Sequence, residues 1–252
     1  MVSFCPKSNT SISPPKIMGT TEEGYSLFNF VTEKQKLCPN QLSEKLVERL
    51  PATSMPDTDW WEDLWPQPEK TLKDMGLQSG MSVLDFGCGY GHFTIPAAQL
   101  VNPSLVVGID IDLPILLQAQ KKQFALELSN CIFLYQDFLS IPNLIANKFD
   151  YIIIHSTFHG LPKPVKFVKQ IIHLLKIKGY ISVVNWQPIS REQTIWKGKP
   201  RGPKTELRIA PQQLLSTMQA ANERLIPVQY VELPPYHYGI TFQLTGLKQK
   251  IK

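Results

Sequence analysis

The chain has few cysteines and no long run of apolar residues. Its four cysteines are scattered, with no Cys-x-x-Cys pair and no histidine at zinc-ligand spacing, so no structural metal and a reducing compartment are expected. The first twenty residues lack a run of seven apolar residues, and nowhere do about 18 follow one another. Neither a signal peptide nor a membrane-spanning helix is expected, and the chain is predicted to be cytoplasmic. The cysteines are Cys5, Cys38, Cys88 and Cys131.

Acidic residues are scarce between residues 163 and 208, although the formal net charge of the whole chain is only +5. In this stretch Glu192 and Glu206 are greatly outnumbered by basic residues, which is compatible with an anionic substrate or a nucleic-acid surface. Part of the stretch has a simpler explanation, because four lysines share one face of a predicted helix whose opposite face is apolar. Such a face is typically solvated. These lysines are Lys163, Lys166, Lys169 and Lys176.

Length and composition predict one full domain with an N-terminal extension. Of the 252 residues, 43% are hydrophobic and 19% are charged, as in an ordinary globular protein. Residues 1–58 are predicted to form the extension, with a short accessory helix over 40–50, and residues 59–252 form the main domain. Three of the five tryptophans lie within residues 59–66. They either wall a ligand pocket or anchor the extension to the domain.

From Met81 onward, strands alternate with helices, which predicts an α/β fold with a parallel sheet and crossover helices. The predicted strands cover residues 82–86, 105–109, 131–135, 151–155, 180–185, 228–233 and 238–245. The predicted helices cover residues 92–101, 113–128, 165–177 and 211–221, and another precedes the first strand over 67–75.

A glycine-rich turn follows the first predicted strand, with the pattern Asp-x-Gly-x-Gly-x-Gly. Glycine tolerates positive φ and lets a ligand approach the main chain closely, and nucleotide-binding α/β folds bind their ligand at this point. A dinucleotide site would need a third glycine where His92 stands. An acid before the turn would repel a pyrophosphate but can pair with a cationic amino group. The pattern favours a ligand with an ammonium end and an adenosine end.

This turn resembles motif I of the class I S-adenosyl-L-methionine (SAM)-dependent methyltransferases. The resemblance covers roughly residues 60–246 and implies a Rossmann-like, seven-stranded, mostly parallel sheet with an antiparallel last strand. It also implies SAM as the methyl donor. The residues that would bind SAM here are Asp85, Gly87, Cys88, Gly89, Tyr90 and Gly91.

The second predicted strand is followed by an acid about 20 residues beyond the glycine turn, where a carboxylate can bind both hydroxyls of a ribose. Asp110 is the predicted ribose ligand, with Ile111 beside it. Asp112 is the alternative, and its other role would be to cap the helix that begins at Leu113.

Further cofactor residues are implied by the family resemblance at the ends of the next two strands. After the third strand, Asp137 would accept a hydrogen bond from the adenine amino group, with Phe138 packed beside the ring. After the fourth, His155 would contact the methionine part of SAM. The segment Leu174–Gly179 is similar to the Leu-Leu-Lys-Pro-Gly-Gly turn of the family, with the proline and the first glycine replaced.

Candidate catalytic residues lie in two aromatic, histidine-containing segments. His159 and His237 are the candidate general bases, because imidazole titrates near neutral pH, and Tyr236 adjoins His237. The Pro-Pro-Tyr-His turn either projects over the pocket or is only a well-packed hairpin. Leu-Pro-Pro-Tyr is not the Asn-Pro-Pro-Tyr motif of amino-group methyltransferases, because it lacks the asparagine and follows a different strand. Asn185, Trp186 and the 191–208 loop are candidate substrate contacts.

Three functions are compatible with these residues. A methyltransferase that acts on a small molecule, which the basic 191–208 loop would allow to be anionic, is favoured because no nucleic-acid-binding module is recognisable. An RNA or protein methyltransferase that uses the same loop is the second hypothesis, and a non-catalytic SAM-binding protein is the third. The combined motifs are similar to a group of bacterial methyltransferase-domain proteins, which narrows the family without indicating an acceptor.

Overall fold

The computed structural model of the protein describes residues 58–136 and 148–246. The strands, in chain order, are β1 Val83–Phe86, β2 Val106–Asp110, β3 Cys131–Tyr135, β4 Phe149–His155, β5 Leu175–Trp186, β6 Ile195–Trp196, β7 Lys199–Pro200, β8 Leu225–Leu233 and β9 His237–Leu244. Seven of them form one sheet in the order β3-β2-β1-β4-β5-β9-β8, and β6 and β7 form a separate hairpin. β1 to β5 run parallel, and β9 is antiparallel to both neighbours. The predicted fold class is confirmed.

Six α-helices connect or flank these strands in the described part of the chain. They are α1 Thr58–Leu64, α2 Pro68–Asp74, α3 Thr94–Val101, α4 Leu113–Ala125, α5 Pro164–Ile171 and α6 Pro211–Ala221. Proline stands in the first turn of α2, α4, α5 and α6, where its missing N–H costs nothing. Asp112 caps α4 by accepting a hydrogen bond from the Ile115 amide at 3.3 Å.

One predicted helix was wrong at its C-terminal end. The helix expected over 165–177 ends at Ile171, and after a short 3₁₀ turn the chain enters β5 at Leu175. Leu175 pairs with Phe149, and the Lys176 ammonium lies 2.8 Å from the Asp150 carboxylate. Lys176 is therefore not on the lysine face of the helix. A Cβ on Gly179 would meet the carbonyl oxygens of Lys176 and Asp150 at 2.9 and 3.0 Å, so this turn needs glycine.

Each face of the sheet carries its own apolar core, because successive strand residues point to opposite faces. Leu84 belongs to the core under α5 and α6, which contains Phe167 and Leu214. Val83 belongs to the core under α1, α2 and α3, which contains Trp61 and Leu72. No helix of the described residues is both long and apolar enough to cross a bilayer.

The connection between β5 and α6, residues 187–210, is a structured loop that carries the β6–β7 hairpin. Arg208 organises it: the guanidinium donates hydrogen bonds to the carbonyl oxygens of Pro203, Ile189 and Arg201 and to the Thr194 hydroxyl, at 2.9–3.3 Å. Arg208 is 7% exposed. Its guanidinium carbon also lies 5.2 Å from the centroid of the Trp186 ring. The loop is thereby held against the end of β5.

The accessory helix predicted over residues 40–50 lies outside the described residues. The division into an extension of residues 1–58 and a domain of residues 59–252 stays a prediction, because the description begins at Thr58.

Candidate active site

The glycine turn joins β1 to the segment before α3 at the carboxyl edge of the sheet. Gly87, Gly89 and Gly91 have φ values of 72°, 52° and 76°, which L side chains rarely adopt. A Cβ on Gly87 would lie 2.3 Å from the Thr157 hydroxyl oxygen. The crowding at Gly87 thus comes from the loop after β4, which packs directly on the turn.

Asp110 ties the end of β2 to this turn. One carboxylate oxygen accepts a hydrogen bond from the Gly89 amide at 2.9 Å, and the other accepts one from the Asp112 amide at 3.0 Å. Asp110 is 9% exposed, and burial raises the pKa of its carboxyl. Because Asp112 serves as the cap of α4, Asp110 remains the stronger candidate for the ribose.

Asp85 is a buried carboxyl directly before the turn. It is 3% exposed and accepts a hydrogen bond from the Thr94 hydroxyl at 2.6 Å. Burial, reinforced by Asp110 and opposed by the Thr94 hydrogen bond, raises the pKa of Asp85 to about 7. A buried carboxylate without a cationic partner is unstable, so the position suits a ligand that brings a positive charge.

The remaining predicted cofactor residues differ in which of their atoms could contact a ligand. The Cys88 side chain is buried, and its sulfur would lie 3.0 Å from a Cβ on Gly108, so Cys88 can offer a ligand only its backbone. Tyr90 and Ile111 are half-buried. Asp137 and Phe138 lie outside the described residues, and their contact with adenine stays a prediction.

His155 is the last residue of β4, and only one of its two ring nitrogens has a hydrogen-bond partner. Nε2 lies 2.7 Å from the Ser182 hydroxyl, whereas Nδ1 is buried without a partner. The ring meets Phe93 edge to face, with centroids 4.7 Å apart, and burial lowers the pKa of His155 to about 3. Ser156 follows with φ 55° and a buried, unpartnered hydroxyl. Such strain often accompanies functional sites.

His237 begins β9 on the same face of the sheet, between two indole rings. Its ring centroid lies 4.6 Å from that of Trp65 and 4.2 Å from that of Trp186. The residue is 1% exposed, and Nε2 has no hydrogen-bond partner. Burial, together with Arg208 and His159, lowers its pKa well below the usual value. His237 is therefore a neutral imidazole at physiological pH.

Two more polar side chains with unpartnered atoms lie at this edge of the sheet, Asn185 near the end of β5 and His159 in the 3₁₀ turn after β4. Asn185 on β5 is fully buried, and its amide atoms meet no partner at good hydrogen-bond geometry. The nearby Tyr238 hydroxyl donates to the Ile209 carbonyl; burial raises the pKa of Tyr238, and the Asn185 side chain is close enough to oppose that shift. His159 has an unpartnered Nδ1, and burial together with Arg208 lowers its pKa to about 4. Buried polar groups are nearly always hydrogen-bonded in folded proteins, so unpartnered atoms on Asn185, His155, His159 and His237 point to a ligand.

Tyr236 contacts the hairpin rather than the buried histidine. Its hydroxyl donates a hydrogen bond to the Ile195 carbonyl at 2.6 Å, and its ring stacks on Trp186 with centroids 6.1 Å apart. The Pro-Pro-Tyr-His turn thus packs against the 187–210 loop and also delivers His237 to the site. A catalytic role of Tyr236 stays a prediction.

Sequence reasoning did not single out Thr94, Trp65 or Ser156 as site residues. Thr94 lies nine positions after Asp85, on the first turn of α3, and only the folded turn brings the two together. Trp65 belongs to the predicted tryptophan cluster, and its packing against Phe93 and His237 is compatible with both a pocket wall and an anchor. No group of three or more histidine, cysteine or acidic side chains suited to a metal occurs in the described ranges.

These residues fit SAM. A tight turn of positive-φ glycines follows β1, the carboxyls of Asp85 and Asp110 lie at the ends of β1 and β2 beside it, and His155 and Ser156 have unpartnered atoms at the end of β4. The fold and the site together define an α/β domain of the nucleotide-binding class.

Comparison with known proteins identifies the family. Residues 77–223 match the model of a methyltransferase domain, and the chain belongs to that family. A SAM-dependent methyltransferase from Aquifex aeolicus has a similar structure, with 27% identity and a TM-score of 0.62 over 71% of this chain and 90% of that chain. The matched region is a methyltransferase domain, and the Aquifex aeolicus protein that it resembles is SAM-dependent.

Two further proteins are similar to this chain, one at low sequence identity and one over less than half of its length. The N-methyltransferase NodS from Bradyrhizobium japonicum, solved with S-adenosyl-L-homocysteine, shares the fold at 16% identity, with a TM-score of 0.57 over 76% of this chain and 94% of that chain. Demethylmenaquinone methyltransferase from Geobacillus sp. (strain WCH70) is 30% identical over 114 residues, which are 45% of this chain and 48% of that protein. The chain spans about half the length of the curated relatives that it matches.

Proposed function

We propose that the protein transfers a methyl group from SAM to a hydroxyl of a small molecule, bound where β4 and β5 end and β9 begins. The observation that carries this proposal is the neutral His237, buried between Trp65 and Trp186 with Nε2 unpartnered. Aromatic walls suit a small, flat acceptor. The relative named demethylmenaquinone methyltransferase, by its name, also acts on a small molecule.

SAM, when bound, supplies an activated methyl group on a sulfonium. Asp85 would bind its ammonium and Asp110 its ribose, while the turn of Gly87, Gly89 and Gly91 would lie against it. These contacts hold the donor in line with the acceptor, and such positioning can lower a barrier by several kcal/mol. His155, whose Nε2 is held by Ser182, would present Nδ1 to the methionine part.

His237 would act as the general base. In the transfer an O–CH₃ bond would form as the C–S bond of SAM breaks, with the bonding pair passing to sulfur, and Nε2 of His237 would accept the hydroxyl proton. This requires the tautomer that carries its proton on Nδ1. General bases typically contribute about 10²- to 10⁴-fold in rate. His159, near enough to influence the pKa of His237, is the alternative base.

An RNA or protein acceptor is less well supported. Much of the positive charge in the 187–210 loop serves the loop itself, since Arg208 and Arg191 donate to its own carbonyl oxygens and Lys197 pairs with Asp63. Binding to tRNA that falls steeply with salt would favour this second candidate.

The test uses SAM labelled in its methyl group and a cell extract separated into small molecules and macromolecules. We expect the label in small molecules, as a methyl ether detected by mass spectrometry. Label confined to RNA or protein would contradict the proposal.

The base is tested with His237→Gln, which keeps a buried polar side chain of similar size. We expect turnover to fall at least about 100-fold with SAM binding retained by calorimetry. Exposed His173, replaced in the same way, is the control. Unchanged turnover in His237→Gln would exclude His237 as the base.

A further inference from the structure

We propose that the acceptor carries a carboxylate, which binds between the Arg201 guanidinium and the Trp196 indole N–H on the β6–β7 hairpin. This inference rests on the proposed function, since it names the chemistry of the acceptor for the same site. The carboxylate is an anchor at one end of the molecule, and the methylated hydroxyl is at the other end.

Arg201 has donor groups to spare. Its Nε donates to the Trp196 carbonyl at 3.4 Å, and its guanidinium carbon lies 5.1 Å from the centroid of the Trp60 ring. Within the part of the chain that the structure describes, no carboxylate pairs with it. The two terminal amino groups of a half-buried guanidinium are thus left for a ligand, and their fork matches a carboxylate.

The neighbouring cations, unlike the terminal amino groups of Arg201, have hydrogen-bond or ion-pair partners within the protein. Arg191 donates to the carbonyl oxygens of Gly202 and Pro200. Arg208 makes four hydrogen bonds within the loop. Lys197 is paired with Asp63. Arg191, Arg208 and Lys197 are therefore already bound to other groups of the protein.

Trp196, whose backbone carbonyl accepts the Arg201 hydrogen bond, carries a second unused donor on its side chain. Its Nε1 is buried and has no hydrogen-bond partner, while its carbonyl accepts from Arg201. An indole N–H can only donate, so the group needs an acceptor. A guanidinium and an indole N–H without acceptors form a donor set that an anion satisfies.

Ring contacts connect this donor set with the proposed base. Arg201 lies over Trp60, the Trp60 and Trp186 centroids are 6.4 Å apart, and Trp186 and His237 are 4.2 Å apart. In this proposal the acceptor would follow these rings, with one end at Arg201 and the other towards His237. A carboxylate neutralised by hydrogen-bond donors is a poor nucleophile, so the methyl group goes to the other end.

The experiment is a titration of the full chain with benzoate, followed by tryptophan fluorescence in the presence of S-adenosyl-L-homocysteine. Benzamide is the uncharged counterpart of the probe. We expect benzoate to bind at least about tenfold more tightly than benzamide, because an ionised acceptor roughly doubles a hydrogen bond. Arg201→Gln should remove that preference and leave benzamide binding unchanged.

The matched control is Lys199→Gln, which removes one positive charge from the same hairpin at an exposed position. It should bind benzoate like the wild type. Equal binding of benzoate and benzamide by the wild type, or equal loss in the two variants, would overturn the inference. Inorganic phosphate that competes more strongly than benzoate would overturn the assignment of a carboxylate.

The outcome is separable from that of the proposed function. Probe binding needs no methyl transfer, and SAM binding measured by calorimetry on each variant reports the cofactor site alone. If label from SAM enters a neutral small molecule while benzoate shows no preference, the methyltransferase proposal stands and the carboxylate subsite fails.

Discussion

At the scale of single residues, ionisation of Asp85 should make the affinity for SAM depend on pH. Its pKa is raised to about 7 by burial, with Thr94 opposing the shift, and the ionised form is the one that attracts an ammonium. We expect the affinity for SAM to fall between pH 7.5 and 5.5, approaching tenfold per pH unit below 7. Below pH 7.5 an α-amino group stays mostly charged, so the decline reports Asp85. Calorimetry measures it.

Two variants test the assignment to Asp85. Asp85→Asn should bind SAM weakly at every pH, because a charge-assisted hydrogen bond of about 1.5–3 kcal/mol is lost, and its affinity should not vary over this range. Thr94→Val removes the hydrogen bond that lowers the pKa, so the midpoint should move upward. An affinity of the wild type that is constant from pH 7.5 to 5.5 would contradict the prediction.

Single residues were predicted best where their role depends on local sequence. The glycine turn, Asp110 after β2 and the cap at Asp112 are each fixed by neighbours within a few positions, and the structure confirms the turn and the cap. The contacts of His237 with Trp65 and Trp186 join segments distant in the chain. No periodicity encodes such contacts, so the sequence left His237 as one of two candidate bases.

At the scale of elements, helix and strand types were predicted well and their ends less so. α6 and β3 have the predicted bounds. The end of α5 was missed because Leu174 and Leu175 continue the apolar pattern of a helix, whereas pairing with β4 draws Leu175 into β5. α1 was not predicted. It is only seven residues long, and its buried residues Trp60, Trp61 and Leu64 are too few to show helical periodicity.

The 187–210 loop depends on Arg208 for its conformation. Arg208→Met keeps an apolar stem but leaves three carbonyl oxygens without their donor. We expect a loss of about 2–4 kcal/mol in the free energy of unfolding, measured by urea denaturation, and faster proteolysis within residues 187–210. Lys204→Gln, at an exposed position of the same loop, is the control. If Arg208→Met is as stable in urea and as resistant to proteolysis as the control, the loop keeps its conformation without Arg208.

At the scale of the whole molecule, buried neutral histidines make the fold sensitive to acid. Burial lowers the pKa values of His155 and His159 to about 3 and 4, and it lowers the pKa of His237 well below its usual value. Below pH 6.5 the unfolded chain takes up protons that the folded chain does not, so stability falls as the pH falls. Asp85 opposes this, because the folded state protonates it first, at about pH 7.

Asp110, whose pKa is also raised by burial, acts in the same direction as Asp85. Three histidines outweigh these two carboxyls, so the free energy of unfolding should decrease from pH 6 to 4.5. Each unbalanced proton contributes about 1.4 kcal/mol per pH unit. His155→Gln removes one such group and should reduce the slope by about that amount, in urea denaturation at three pH values. His173→Gln, at an exposed site, should leave the slope unchanged. Equal slopes for His155→Gln and the wild type would mean that the buried imidazole is protonated in the folded state, and the site would then hold a charge where the proposed mechanism needs neutral rings.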